Sequence, residues 1–242
     1  MQACTREGYW IMKKLLIAIV ALLPSLVLAA GGAPVPFKAN IDLNDTESLQ
    51  RGAKAFMESC FGCHSTHYQR YERVAQDLDI PVDVMRNELI TTGAKIGELM
   101  ENSIDDEDSA KWFGAAPPDL TLAARVRGED WVYSYLKSFY KDETRPFGTN
   151  NTVFPLVGMP HVLEAYQGIP VLQEDGSIVA TGGSMNAEEY DQLVKDITGF
   201  MVYSAEPMRL ERERMGVWVL GFLVILFIFS YLLKKEYWKD VH

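Results

Sequence analysis

Between Arg214 and Lys234 the chain runs for 19 residues without a charge, MGVWVLGFLVILFIFSYLL, and this segment limits every fold open to the rest. It is long enough to cross a bilayer as one helix, the form in which every backbone group is paired inside hydrocarbon. Lys234, Lys235 and Lys239 follow at once, with Tyr237 and Trp238 among them. That flank marks the cytoplasmic end of a span, whereas a buried core helix would have no need of it. A second apolar run begins at Met12, MKKLLIAIVALLPSLVLAAG. Two lysines, an apolar stretch and small residues near Ala29 and Ala30 form the pattern of a cleaved export signal. Signal and anchor independently place the residues between them outside the cytoplasm. The expected organisation is an N-terminal extension and signal over 1–30, an exported domain over 31–206, and an anchor helix with a short cytoplasmic tail over 207–242.

Composition adds one exclusion. With 33 acidic against 23 basic residues the net charge is -10, which argues against a nucleic-acid partner. An acidic surface can steer a basic protein partner, although it more often only keeps a protein soluble.

Of the three cysteines, Cys4 precedes the signal, and Cys60 and Cys63 lie in CFGCH, directly before His64. Two thiols at i and i+3 share one side of a helical turn with the following imidazole. Covalent haem uses that spacing: both sulfurs add to the porphyrin and the histidine becomes an iron ligand. Zinc would need two further thiolates or imidazoles at ligand spacing, and the remaining histidines and Cys4 are scattered. A redox C-x-x-C would be expected at the start of a helix after a strand, whereas this one ends a helical pattern.

Four helical patterns are legible before the anchor. Residues 44–60 have Asn44 as N-cap with Glu47 three on, and Leu49, Ala53, Phe56, Met57 and Cys60 on one face. Residues 81–92 start on a proline and stop at Gly93. Residues 129–140 align Val132, Tyr135, Leu136 and Phe139, and Asn186 caps a helix with Tyr190, Leu193, Val194, Ile197 and Met201 inward. A hairpin is expected in PVLQEDGSIVA, with Asp175-Gly176 in its turn, and the anchor helix could begin at Pro207. The chain is therefore mainly helical with long connections, and a bound haem can supply the core that such loops lack.

If iron sits on His64, the opposite ligand decides the chemistry: methionine suits passage of single electrons, and an open position suits gases or peroxide. Met57, Met85, Met100 and Met201 occupy helical core positions, Met208 and Met215 adjoin the membrane, and Met185 opens a helix. Met159 lies in NNTVFPLVGMPHV between Gly158, which permits close approach, and Pro160, which biases its neighbour to an extended backbone. Met159 is the favoured candidate, with Met185, His67 and His161 as rivals; the plain alternative for either histidine is an ordinary hydrogen-bonded side chain. In GAAPPDLTLAARVRGEDW, two prolines make a rigid loop with a carbonyl free to accept from the second ring nitrogen of His64. Arg125 and Arg127 are candidates for haem propionates, or else solvated surface charges.

In order, CFGCH, APPDL at 116–120, the two arginines, FPLVGMP at 154–160 and the lone anchor resemble the cytochrome c1 family in its shorter bacterial form, over essentially the whole chain after the signal. The resemblance implies a class I-like cytochrome c haem domain with long loops and a short β-hairpin, plus one C-terminal transmembrane helix. It implies one covalent haem c held by Cys60, Cys63 and His64, Met159 as sixth ligand, Arg125 on a propionate and Pro118 against His64. It further implies a subunit of a dimeric quinol–cytochrome c oxidoreductase in a bacterial inner membrane, not an enzyme by itself, with its haem domain in the periplasm. Electrons would come from the Rieske iron-sulfur protein, beside cytochrome b, and leave to a soluble cytochrome c. Some members carry a further cysteine pair bridging a loop. This chain has no cysteine after Cys63, so order in the Met159 loop is expected from Pro155, Pro160 and packing. The competing readings are another anchored monohaem cytochrome, a haem sensor or peroxidase, and a thiol oxidoreductase.

Overall fold

The computed structural model describes residues 35–239. The expected extension, signal and Cys4 lie outside them, and the described residues from Phe37 onward form one unit. About half of the described chain is helical, with three two-stranded antiparallel ladders and one long apolar C-terminal helix.

Helix α1 (Thr46–Ser59) carries the cysteine motif on its C-terminal end. Its cap is Asp45 rather than Asn44: Asp45 Oδ1 accepts from Ser48 N at 3.0 Å, while Asn44 is itself held by Asp42. A carboxylate is the stronger acceptor for an orphan helix N–H, which explains the shift by one residue. The helix Ala187–Ala205, called α8 from its place in chain order, has the expected Asn186 cap, completed by Glu189 into a capping box. These two helices pack at Gly52, where an added Cβ would stand 1.9 Å from the Asp196 carbonyl oxygen. Phe56 meets Phe200 one turn further on, with ring centroids 5.1 Å apart. The Asp196 carboxylate is buried in this contact and fully engaged, by Arg51 Nε at 2.7 Å, Ser48 Oγ at 2.6 Å and Gln192 Nε2 at 2.7 Å. Unpaired, such a charge would oppose the packing that these bonds instead align.

The chain between runs through β1 (Thr66–Arg70), α2 (Tyr71–Asp77), α3 (Val82–Val84), β2 (Leu99–Met100), α4 (Asp106–Phe113), α5 (Ala123–Arg127), α6 (Glu129–Lys137), β3 (Phe139–Lys141), β4 (Thr149–Asn151), α7 (Glu164–Gln167), β5 (Gly168–Leu172) and β6 (Ile178–Gly182). The helix expected over 81–92 is short, continuing past Val84 as one π-helical turn over Met85–Leu89 that buries both ends of the turn. The helix expected over 129–140 stops at Lys137, because Phe139–Lys141 pairs with Thr149–Asn151. The acids at 105–108 open α4: Asp105 Oδ1 accepts from Glu107 N and Asp108 N, and the acids that follow suit the positive end of the helix. The hairpin forms as expected, β5 with β6, and Gly176 at φ +83 lets the turn close.

Pro207 and Met208 precede the anchor helix α9 (Arg209–Tyr237), a single run of 29 residues. Its first turns are tied to the domain below: Glu206 takes both Arg125 at 3.1 Å and Arg212 at 2.5 Å, and Arg209 lies between Glu129 and Glu213.

Two asparagines hold the Met159 loop. Asn151 Oδ1 accepts from Val153 N at 2.9 Å and Phe154 N at 3.0 Å, and its Nδ2 donates to Tyr135 O at 2.8 Å. Asn150 Oδ1 accepts from Leu156 N at 2.9 Å, and Arg145 Nη2 donates to Leu156 O at 3.0 Å. Leu156 is held at φ +63, a left-handed conformation costly for a leucine unless neighbours impose it. Side-chain-to-backbone bonds, more than Pro155 and Pro160, thus order the loop.

Three stability outcomes follow. Gly52→Ala is expected to cost about 3 kcal/mol, read by thermal unfolding, since a backbone oxygen blocks the new methyl. Asn151→Ala, which removes three hydrogen bonds, should cost about 3 kcal/mol and speed amide exchange in 153–160 while leaving α1 protected. Asp191 bonds to Lys137, Tyr133 and Lys195; burial opposes its charge, but these donors prevail and hold the carboxyl down at about 2. Its folded value lies below the unfolded one, so its contribution is complete above about pH 4 and lost as pH falls toward 2. Asp191→Asn should therefore destabilise by about 2 kcal/mol at neutral pH, with the difference from wild type closing near pH 2 in acid titrations.

Candidate functional site

The motif is shaped by two successive turns. Cys60 N and Phe61 N both donate to the Phe56 carbonyl as α1 ends. The Cys60 carbonyl then accepts from Cys63 N at 3.1 Å and His64 N at 2.9 Å, which gathers both thiols and the imidazole around one turn. Phe61, between the thiols, is fully buried edge-on against Tyr71, whereas Gly62 is exposed with open space where a side chain would be. The motif is thereby anchored through Phe61. Cys60 and Cys63 are not joined by a disulfide, and burial, aided by the neighbouring Cys63, pushes the Cys60 thiol up to about 12. A thiol held protonated in this way lacks the thiolate that disulfide exchange requires.

His64 is buried, and its Nδ1 lies 2.7 Å from the Pro118 carbonyl oxygen. A carbonyl can only accept, so Nδ1 carries the proton and Nε2 keeps a lone pair. Burial lowers the histidine's pKa, against the opposing effect of the Pro118 bond, and so favours the neutral ring that binds a metal. The PPDL segment is fastened along the motif by three more bonds: Leu120 N to Ser65 O at 2.9 Å, His67 N to Asp119 Oδ2 at 2.7 Å, and Tyr68 N to Thr121 Oγ1 at 3.3 Å. Asp119 escaped the sequence reading. Its place after two prolines, in a residue type that bonds its own backbone two residues on, was the available signal; Asp119 Oδ1 does accept from Thr121 N.

The same segment reaches the methionine loop. The Phe113 carbonyl at the end of α4 stands 4.0 Å from where a Gly158 Cβ would be, and five residues later Pro118 holds His64. Met159 is half-buried, with its Sδ 3.4 Å from the Tyr135 hydroxyl, which donates to it. Its rivals are committed elsewhere. Met57, Met85, Met100 and Met201 are core residues, and Met185 packs on the core's edge. His161 is buried, stacked on Phe139 at 4.9 Å with Nε2 bonded to Gln167, and burial lowers its pKa to about 4. His67 is exposed beside Glu101.

The structure separates the two arginines. Arg125 is in the ion pair with Glu206, whereas the Arg127 guanidinium lies 5.0 Å above the Trp131 ring and has no carboxylate partner among the described residues. Trp131 in turn stacks on Tyr135 at 5.1 Å and 8°.

As a donor set, two thiols beside a neutral histidine with one nitrogen unprotonated, and a thioether on a loop whose Gly158 lies near Phe113, fit a covalently attached haem with histidine and methionine ligands. The model of the Cytochrome C1 family matches residues 35–241. Cytochrome c1 of Allochromatium vinosum is 52% identical, over 96% of this chain and all of that protein. The ammonia monooxygenase gamma subunit of Nitrosomonas europaea is 44% identical, over 96% of this chain and 99% of that protein. The mitochondrial cytochrome c1 heme protein of Neurospora crassa is 28% identical, over 80% of this chain and 62% of that protein. With the family model covering all of the described residues, and a bacterial cytochrome c1 matching at half identity end to end, the chain belongs to the cytochrome c1 family, whose members carry a covalently bound haem c.

Proposed function

We propose that this chain is the cytochrome c1 subunit of a bacterial quinol–cytochrome c oxidoreductase, passing single electrons from the Rieske iron-sulfur protein to a soluble cytochrome c. The observation that carries the reading is His64, buried in the CFGCH turn with Nδ1 bonded to the Pro118 carbonyl and Nε2 available. Haem bound there supplies one-electron chemistry. Cys60 and Cys63 would hold it through thioethers, His64 and Met159 would ligate the iron, and the Pro118 bond would fix the imidazole's tautomer and rotation. Rigid ligands on both sides keep reorganisation small, which electron transfer needs. The resemblance implies Arg125 for a propionate. Arg125's bond to Glu206 supports assigning that role to Arg127 instead, whose guanidinium keeps its donors.

The apolar helix and its lysine flank support a single-pass protein of the inner membrane with a periplasmic haem domain and a cytoplasmic C-terminus. Cytochrome b is the natural neighbour of such an anchor, and the family's complexes support a dimer. For the soluble acceptor, α4 offers Asp106, Glu107 and Asp108, and Asn102 N bonded to Ser65 Oγ at 3.0 Å ties this acidic segment to the haem motif. A basic cytochrome would be steered there.

The visible spectrum of the purified membrane protein tests the reading. A c-type pyridine haemochrome is expected, with a weak long-wavelength sulfur-to-iron band in the oxidised form that Met159→Leu abolishes. Absence of covalent haem from fully matured protein would overturn the assignment; a band that survives the substitution would move the ligand to another methionine. Cytochrome b and an iron-sulfur protein should copurify, and a monooxygenase in their place would overturn the assignment to this complex. Reversing Asp106 and Glu107 to lysine should slow reduction of a basic cytochrome about tenfold at low ionic strength, with the difference shrinking as salt is added.

A further inference from the structure

The helix α6 brings to the Met159 loop one group that neither the haem motif nor the ligand set uses. Tyr135 directs its hydroxyl at the Met159 sulfur, 3.4 Å away. It is the end of a braced column: the ring lies flat on Trp131 at 5.1 Å, meets the edge of Phe139 at 5.1 Å, and approaches Phe154 of the methionine loop at 6.5 Å. Its own backbone carbonyl receives Asn151 Nδ2, so the residue that shapes the loop also fastens the helix beneath it.

We propose that Tyr135 is a positioning residue for the axial sulfur: its O–H donates to Met159 Sδ, orients the thioether and biases the site toward the reduced state. This rests on the haem reading above. The positive end of the O–H dipole faces the sulfur, so it stabilises the more electron-rich of two redox states, as hydrogen bonds to ligand sulfurs do in other iron centres. The column sets how well the dipole is aimed, because Trp131 and Phe139 confine the ring. No proton is transferred; Tyr135 acts through Met159 alone.

Tyr135→Phe in the full-length holoprotein keeps the ring and removes only the donor. The expected result is unchanged covalent haem, a sulfur-to-iron band retained but displaced, and a lower midpoint potential. A hydrogen bond of ordinary net worth predicts about a fivefold loss in the equilibrium constant for reduction, or ~40 mV at 59 mV per decade. Tyr190→Phe is the control: it removes a buried hydroxyl bonded to Leu136 O on the same helix, and should lower thermal stability while leaving potential and band in place. A Tyr135→Phe potential and band equal to wild type, or an equal fall in potential in both variants, would show that Tyr135 only packs. Failure of the underlying reading looks different: the band would persist in Met159→Leu whatever Tyr135→Phe does.

Discussion

The contact of Gly52 with the Asp196 carbonyl is the constraint from which the rest of the domain follows. It brings α1 against α8 at a separation that only a residue without a side chain allows, and so fixes where α1 ends. Because the cysteine motif is the continuation of that helix, the crossing sets the position of both thiols and His64. The buried Asp196 adds direction, since its bonds to Ser48 and Arg51 align one helix along the other. Apolar packing alone, of Phe56 on Phe200, would tolerate more slippage.

A second layer fixes what the motif faces. The segment from Phe113 to Thr121 has little regular structure of its own, yet it touches the methionine loop at one end and runs beside residues 64–68 at the other. Proline at 117 and 118 removes backbone donors, and the Asp119 carboxylate accepts from His67 N and Thr121 N, so the segment behaves as a strap set by specific bonds. The methionine loop is built on the same principle, with asparagine side chains at 150 and 151 standing in for strand hydrogen bonds. In this chain the region is held by amides and Arg145.

Residue patterns disclosed the parts whose chemistry is local. CFGCH, the Asn186 cap, the Asp175-Gly176 turn and the uncharged anchor each carry their meaning within a few residues, and the structure bears out the cap, the turn and the long apolar helix. What stayed hidden depends on partners distant in sequence. Phe139 continues the helical period of α6 but leaves it to pair with Asn151, a tertiary preference that periodicity cannot register. The short helix α4 was not among the expected helices, because its capping depends on Asp105 alone. Two arginines two residues apart were equivalent as letters; Glu206, some eighty residues on, separates them. Tyr135 was legible as a core position on α6, but its hydroxyl's partner was not.

The charged collar at the foot of α9 has a mechanical meaning. Arg212 and Arg125 share Glu206, and Arg209 joins Glu129 to the helix, so the base of the anchor is braced to α5 and α6 across the break at 206–208. Each of these exposed pairs is weak singly, but together they oppose tilting in more than one direction. Tilting the helix against the domain would have to break pairs on α5 and α6 together rather than one at a time.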